Sequence, residues 1–445
     1  MLNIIMKYNN GQALWEKAKE IIPTGNQLLS KKAERFLPGL WPSYYQKAKG
    51  CEVWDISGKH FFDFAQMGVG ACILGYANEE VNNAVTEAIQ NGTMCSLNSY
   101  EEVELAERLI ELHPWSNMAR FARTGGEACA IAVRIARTHT GKDKVAFCGY
   151  HGWSDWYLAA NLADSSNLDG QLLPGLKPSG VVRNLNHTAV PFNFNRLNEL
   201  EEIVNNNPGE IGTIIMEPAR EVEPDPEFIQ GVREIADRIG AVLIFDEVTS
   251  GFRMNLGGIH LRYNVDPDIA VFAKALGNGF PIAAIIGKKN IMSSAENSFI
   301  SSTMWTERIG FVAALKTIEL MERDDVQEKL INYGNRINDG WKRIAQEASL
   351  NIHISGIPPL THISFDCYDP NAAQTLYAQE MLEKGYLVGA SVYATYAYSN
   401  EIIDKFIEDS KVVFKKISFA IQNSNIHKYL KGDVIQTGFK RLTGQ

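Results

Sequence analysis

The chain has 445 residues, of which 21% are charged and 45% hydrophobic, and its net charge is −9. This composition is typical of a soluble globular protein, and the length predicts roughly two or three domains. The acidic balance leaves no basic face that could follow a phosphate backbone, which excludes nucleic-acid binding. No apolar run reaches the roughly 18 residues of a membrane span, and the first ten residues lack the features of a signal peptide.

The six cysteines are scattered along the chain, and no two of them form a C-x-x-C pair. Neither a disulfide framework nor a zinc site is therefore expected, and we predict no metal site. Reduced cysteines of this kind suit a cytoplasmic protein.

The first elements along the chain are a helix and a hairpin. Residues 11–22 carry apolar residues at helical spacing and end at a Pro-Thr-Gly turn. The runs at 52–55 and 60–64 flank a short turn that contains Gly58, which predicts two antiparallel strands.

A glycine pattern follows the hairpin. Gly68 and Gly70 are similar to the start of a dinucleotide-binding motif, but Ile73 occupies the place of the third glycine. Without that glycine the close packing of helix on strand is lost, which argues against a nicotinamide-dependent dehydrogenase.

Residues 121–128 open a helix that runs to about Thr138, with Ala, Ile and Val along one face. Thr124 and Glu127 form a T-x-x-E capping box, and Gly125 and Gly126 let the backbone approach an anion. The N–H groups and the positive dipole end at this terminus suit a phosphate. Taken alone, a capping box more often only starts a helix.

The next strand is predicted at residues 144–147, and Tyr150 lies in the loop that leaves it. An aromatic ring there can stack on a flat ligand, although a core aromatic beside a glycine turn gives the same pattern. From Trp153 to about His187 the sequence is rich in Gly, Pro, Ser and Asn, without a sustained period. A loop of this length usually has a function, often that of a lid.

A β-α-β unit follows this loop. The apolar run at 211–216 predicts a strand that ends at Glu217, and residues 227–239 form an amphipathic helix. Strand, helix and strand in this order predict a mainly parallel sheet flanked by helices, which is an α/β fold.

Two strand ends carry the residues around which the fold is organised. The run at 241–245 predicts a strand buried on both faces, and Asp246 follows it, whereas Lys274 follows a second short strand at 271–273. Open α/β sheets bind ligands at this edge. A lysine that forms a Schiff base and an acid that partners a pyridinium nitrogen suit pyridoxal phosphate chemistry, although a buried ion pair would look the same.

The last third of the chain predicts two helices, at 309–321 and 325–348. Beyond them we expect a small α+β domain in which β-type runs at 361–365, 387–388 and 402–417 alternate with a helix.

The stretches DEVTSGFR (246–253) and AKALGNGFPIAA (273–284) resemble the signature of the class III (omega) aminotransferases, in the branch that contains glutamate-1-semialdehyde 2,1-aminomutase. The resemblance covers roughly residues 11–420. It implies a pyridoxal phosphate enzyme of fold type I, a homodimer whose sites lie at the subunit interface. It also implies that one chain supplies a threonine to the phosphate bound by its partner.

The resemblance assigns a role to each site residue. Lys274 is the Schiff-base lysine and Asp246 partners the pyridine nitrogen, and these two are the catalytic residues. The other residues expected at the cofactor are the phosphate residues Thr124, Gly125 and Gly126, the ring-stacking Tyr150 with His151 of the same YHG motif, the strand-end Glu217, Val248 on one ring face, and the trans-acting Thr303.

The sequence departs from the family pattern at three places. Gly126 stands where the family usually has Thr or Ser, and Glu307–Arg308 stands where it has Asn-Pro or His-Pro. Residues 389–396 lack the glutamate of the semialdehyde mutases and carry tyrosines, which suit a larger hydroxylated substrate or simply a packed core. We therefore predict transfer from a separate amino donor to a carbonyl acceptor, with an intramolecular aminomutase as the alternative. A catalytically silent homologue is disfavoured because Lys274 and Asp246 are both present.

The resemblance also suggests a domain division. We expect an N-terminal segment at 1–65 that packs with the small domain, a large cofactor-binding domain at 66–305, and a C-terminal small domain at 306–445.

Overall fold

The computed structural model describes residue 8 and residues 10–171, 174–219 and 221–438. These residues form two compact units. The middle unit spans residues 79–327, and the terminal unit combines the residues up to 78 with those from 328 onward. Among the helices that the structure describes, none combines the length and the apolar character needed to cross a membrane.

A seven-stranded sheet forms the centre of the middle unit. Six strands are parallel to one another, and the strand Ala283–Gly287 runs antiparallel between its two neighbours. In spatial order the strands are Met118–Ala122, Ala283–Gly287, Ile269–Phe272, Val242–Asp246, Ile211–Met216, Lys144–Cys148 and Ala189–Pro191. The prediction of a mainly parallel sheet is confirmed.

The central strands are buried on both faces. Every residue of Ile211–Met216, Val242–Asp246 and Ile269–Phe272 is buried. Continuous apolar runs are what such strands require, because helices cover both sides of a parallel sheet. Because the apolar runs mark these strands in the sequence, the first and last residues of each strand lie within one or two positions of the predicted bounds.

Helices pack around this sheet. The helix Pro226–Ile239 buries Phe228, Val232 and Ile235 against sheet residues in one hydrophobic cluster. The other described helices of the unit are Glu79–Gln90, Glu101–Leu112, Gly125–Thr140, Asp155–Leu158, Ala160–Ala163, Leu197–Asn206, Lys289–Met292 and Arg308–Arg323. Two of these are short helices inside the predicted long loop, so part of that segment is ordered into helical turns.

The helix Arg308–Arg323 belongs to the middle unit. The ring of Phe311 packs edge-on against Phe121 of the sheet, with ring centroids 5.1 Å apart. The boundary accordingly falls after residue 327, whereas the sequence placed it at 305. At the other end Gly50 and Tyr76 exchange backbone hydrogen bonds of 2.8 and 2.7 Å, which places residues 66–78 in the terminal unit.

The terminal unit contains two small sheets. One consists of Tyr45–Lys49, Glu52–Asp55, His60–Phe64 and Tyr386–Val388, and the other of Ile352–Ser355, Leu360–Phe365 and Ser391–Tyr393. The predicted hairpin is present, and its second strand pairs in parallel with Tyr386–Val388. The long helices are Gly11–Ile21, Val326–Glu347, Pro370–Glu383 and Asn400–Gln422, the second of which begins two residues before the unit boundary.

One predicted element is wrong. Residues 402–417 were expected to be of β type, but they lie inside the helix Asn400–Gln422. Its buried residues include Ile403, Phe406, Ser410, Val413 and Ile417, which recur every three or four positions and so form one helical face. The high content of Ile, Val and Phe favours strands, but the spacing of these residues determines the outcome.

Candidate active site

Asp246 lies at the carboxyl end of its strand and is 2% exposed. One carboxylate oxygen, Oδ2, accepts from His151 Nδ1 at 2.8 Å and from Cys129 Sγ at 3.2 Å. The other oxygen accepts the backbone N–H of Val248 at 3.0 Å. The second ring nitrogen of His151 contacts the carbonyl of Cys148 at 3.1 Å, which fixes the orientation of the imidazole. The carboxylate is therefore held rigidly at the sheet edge.

Cys129 is the member of this cluster that the sequence did not single out. Burial, and next the neighbouring Asp246 carboxylate, raise the pKa of the Cys129 thiol well above its usual range. The thiol is consequently protonated and donates to the carboxylate. The ligand atoms of Cys129, His151 and Asp246 lie within 4.8 Å of one another, and hydrogen bonds account for their arrangement.

Lys274 comes two residues after the neighbouring strand, in which Val271 pairs with Asp246. Its Nζ donates to the hydroxyl of Thr249 at 2.8 Å. The backbone of Lys274 has a φ of 45°, which lies in the left-handed region that side chains other than glycine rarely adopt. Backbone strain of this kind persists only where the surrounding structure holds it, and it is frequent in active sites.

The loop after Asp246 rests on a buried polar network. Glu247 accepts from the backbone N–H of His260 at 3.0 Å, from His260 Nδ1 at 2.8 Å and from Ser250 Oγ at 2.8 Å. His113 accepts the N–H of Gly258 at its Nε2 (2.9 Å) and contacts the Leu109 carbonyl through its Nδ1 (2.8 Å). These contacts fix the loop that carries Val248 and Thr249.

The predicted capping box is present at the start of the helix Gly125–Thr140. Glu127 accepts the N–H of Thr124 at 3.0 Å, and the Thr124 hydroxyl accepts the N–H of Glu127 at 3.4 Å. A Cβ on Gly125 would lie 2.8 Å from Cγ1 of Val248, so only glycine lets this helix end approach the loop after Asp246 so closely. The first N–H groups of the helix have no partner within it, which makes the terminus suitable for an anion.

Tyr150 and Glu217 lie together at the ends of adjacent strands. Glu217 accepts the backbone N–H of Tyr150 at 3.0 Å and is 8% exposed. A Cβ on Gly149 would come within 2.7 Å of a Glu217 oxygen, which explains the glycine before Tyr150. Both residues line a cavity of about 180 Å³, together with Gln171.

Thr303 opens a short helical turn, Thr303–Thr306. Arg123, the residue before Thr124, holds this turn through the carbonyl of Met304 (2.8 Å from Nε) and the carbonyl of Glu307. Within the described part of the chain, no hydrogen bond joins the Thr303 side chain to the other predicted site residues.

Arg308 and Glu307, which depart from the family pattern, have structural contacts. Arg308 donates to Glu101 from Nε at 2.9 Å, and the two side chains are 18% and 6% exposed. Glu307 caps the following helix by accepting the N–H of Ile309 at 2.8 Å. The Arg308 charge is therefore neutralised within the chain.

Comparison with known proteins decides the family. The class-III aminotransferase family model matches residues 39–409. A curated 3-aminobutyryl-CoA aminotransferase of Cloacimonas acidaminovorans is 34% identical over 81% of this chain and 84% of its own. A glutamate-1-semialdehyde 2,1-aminomutase of Methanothrix thermoacetophila is 32% identical over 92% of this chain and 97% of its own.

The chain belongs to the class-III aminotransferase family. The solved structure of the internal aldimine form of the Sphingopyxis sp. MTA144 FumI protein has the same fold, with a TM-score of 0.84 and 23% identity over 95% of this chain and 99% of that one. As a class-III aminotransferase the chain is an enzyme, a pyridoxal phosphate-dependent transaminase. The predicted family, fold type, enzyme class and cofactor are confirmed.

The residues of this aminotransferase fit the cofactor. Gly125 lets the N-terminus of its helix contact Val248, whose backbone N–H donates to the carboxylate of Asp246. The amine of Lys274 follows the strand that pairs with the strand of Asp246. An anion site, a buried acid and an amine are the three groups that bind a phosphorylated pyridine aldehyde.

Sequence reasoning missed Cys129, Thr249 and Arg123. Thr249 lies three residues after Asp246 in the quoted signature, and Arg123 directly precedes the capping box, so both were visible next to assigned residues. Cys129 was not, because its contact with Asp246 depends on how the helix faces the sheet.

Proposed function

We propose that Lys274 is the Schiff-base lysine and that Asp246 partners the pyridine nitrogen of the cofactor. The observation that carries this assignment is the strand register, in which Asp246 lies opposite Val271 on adjacent parallel strands. A carboxylate and an amine therefore leave the sheet at the same edge, where α/β folds bind ligands. Pyridoxal phosphate supplies an aldehyde and an electron-withdrawing ring.

The remaining binding roles follow from the local contacts. We assign the phosphate to the helix terminus at Thr124, Gly125 and Gly126, where the N–H groups and the dipole favour an anion. The ring faces are assigned to Val248 and Tyr150. His151 keeps the Asp246 carboxylate oriented, and Glu217 fixes the backbone at Tyr150. No metal ion is required by these roles.

Lys274 has a second role in this proposal. When Nζ is free, it would take the proton from the substrate carbon as a general base and would then return it as an acid. The Thr249 hydroxyl accepts from Nζ at 2.8 Å and so provides a resting position for the amine. Thr249 lies on the strand-end loop that the buried Glu247 network supports.

We propose transfer from a separate amino donor to a carbonyl acceptor. Residues 389–396 lack the mutase glutamate, and the relative named as an aminotransferase is 34% identical, against 32% for the aminomutase. The two tyrosines of this stretch have partners within the chain: Tyr393 is a core residue, 4% exposed, and the hydroxyl of the half-buried Tyr396 accepts from Lys329 at 3.1 Å. They therefore give no support to a hydroxylated substrate.

We further propose a cytoplasmic homodimer in which Thr303 reaches the phosphate bound by the partner. Leu97, Tyr100, Phe299 and Met304 are between 59% and 87% exposed. The two segments that carry them meet, because the Arg308 N–H donates to the Thr93 carbonyl at 3.0 Å and its guanidinium lies over the Tyr100 ring. A second copy of the chain would cover this apolar surface around Thr303.

Borohydride reduction followed by peptide mapping tests the lysine assignment. The pyridoxyl group is expected on Lys274, and Lys274→Ala should lose the visible absorbance while keeping the fold. Lys288, which forms an ion pair with Asp268 at 2.8 Å, provides the control Lys288→Ala, which should keep that absorbance. Label on Lys288 would refute the assignment.

A donor screen tests the reaction. We expect bleaching of the bound cofactor by an amino donor and its recovery with a carbonyl acceptor. Efficient conversion of glutamate-1-semialdehyde to 5-aminolevulinate, without added donor or acceptor, would establish the aminomutase alternative instead.

A further inference from the structure

Trp153 is a large aromatic side chain that is 73% exposed, and it stands beside the helix terminus at Gly126. If Gly126 had a Cβ, the nearest side-chain atoms would be Cδ1 of Trp153 at 3.6 Å and its Nε1 at 3.8 Å. The N–H edge of the indole therefore faces the position that a side chain of residue 126 would occupy.

Gly152 holds this arrangement in place. Its φ of 100° is accessible to glycine, and a Cβ there would lie 2.8 Å from the Cα of Gly126. The two glycines thus let the loop after Tyr150 touch the start of the helix Gly125–Thr140. Trp153, the next residue, is brought to the helix terminus by this backbone contact.

Gly126 and Trp153 have complementary hydrogen-bonding groups. Glycine at position 126 provides a backbone N–H but no hydroxyl. The indole Nε1–H is a donor with no acceptor capacity, so it suits an anion that already binds backbone N–H groups. An exposed indole beside an anion site gains a partner for its N–H when the anion binds.

We propose that the indole N–H of Trp153 donates to the cofactor phosphate and takes the place of a hydroxyl at position 126. The inference rests on the proposed phosphate site at Thr124, Gly125 and Gly126. It makes Trp153 a cofactor-binding residue of this chain, with specificity for the phosphorylated form of the cofactor.

The test compares pyridoxal phosphate with pyridoxal, which lacks the phosphate, on full-length enzyme stripped of cofactor. Trp153→Phe keeps an aromatic ring and removes only the N–H. Because hydrogen bonds to charged groups contribute more than neutral ones, the Kd for pyridoxal phosphate should rise roughly 10- to 100-fold. The Kd for pyridoxal should change by less than about twofold, since no phosphate is present.

A second variant restores the missing donor. A serine at position 126 fits, because the nearest atoms to its Cβ lie at 3.6 Å, an ordinary contact. Gly126→Ser combined with Trp153→Phe should therefore recover at least half of the lost affinity on a logarithmic scale. Trp54→Phe, in a strand of the terminal unit, makes the same chemical change elsewhere and should leave both Kd values unchanged.

Each outcome separates the inference from the proposal on which it rests. Unchanged pyridoxal phosphate affinity in Trp153→Phe overturns the inference, and so does an equal loss for both ligands, which would mean that the indole only packs. If wild-type enzyme binds pyridoxal phosphate no more tightly than pyridoxal, the phosphate site itself is wrong.

Discussion

His113 makes the middle unit sensitive to acid. Its Nε2 accepts the N–H of Gly258 at 2.9 Å and its Nδ1 faces the carbonyl of Leu109 at 2.8 Å, so the neutral ring satisfies both neighbours. A second proton on the ring would place the Nε2–H of His113 against the N–H of Gly258. Burial lowers the pKa of His113 from 6.5 to about 4.

The size of the effect follows from this shift. Because the folded pKa is depressed, the unfolded chain binds a proton that the folded chain does not, and the resulting loss of stability accumulates as the pH falls from about 6.5 to about 4. Linkage gives a loss of about 2 kcal/mol in the free energy of unfolding between pH 7 and pH 5, and about 3 kcal/mol by pH 4. The stabilisation is complete above pH about 6.5.

Urea unfolding followed by circular dichroism at pH 7, 6 and 5 measures this loss. His113→Gln keeps a carbonyl that can accept from Gly258 but cannot titrate, so its stability should fall by about 2 kcal/mol less than that of the wild type over this range. His139→Gln is the matched control, because His139 is exposed. If wild type and His113→Gln lose stability in parallel, the protonation argument fails.

Three further results are expected. Asp246→Asn removes the charge at the pyridine nitrogen, so turnover should fall by about 10³-fold, equivalent to about 4 kcal/mol, while the cofactor still binds; near-normal turnover would exclude the role. Mixing inactive Lys274→Ala chains with inactive Thr303→Val chains should restore activity in mixed dimers, and an active monomer by light scattering would contradict the shared site. Arg308→Gln removes the charged partner of the buried Glu101, which keeps the Ser99 hydroxyl, and should cost about 2 kcal/mol in urea unfolding, with relative kcat/KM values among amino donors unchanged; an altered donor preference would make Arg308 a substrate residue.

The sequence was sufficient where one physical requirement dominates. The runs at 211–216 and 241–245 predicted buried strands, because Thr213 is the one polar residue in them and no charged residue interrupts them. The hydrogen bonds between Thr124 and Glu127 could be predicted, since a capping box involves residues three apart in the sequence. The position of Asp246 and Lys274 at the same edge of the sheet followed from the rule that the carboxyl ends of parallel strands lie at one edge.

The sequence was insufficient where tertiary contacts decide. The helix Asn400–Gln422 is rich in residues that favour strands, and it forms because their helical spacing lets one face pack into the core of the terminal unit. The thiol of Cys129 reaches Asp246 only once the helix Gly125–Thr140 has packed on the sheet. Neither outcome depends on local propensity alone.

The parallel pairing of His60–Phe64 with Tyr386–Val388 imposes an order on synthesis. Phe62 emerges from the ribosome early, but its partner Tyr386 follows only after the whole of residues 79–327 has been made. The middle unit has all of its own strands by then and can fold while the nascent hairpin still presents an unpaired edge. Such an edge pairs readily with other chains, so the interval before Tyr386 arrives is the stage at which this protein most needs a chaperone.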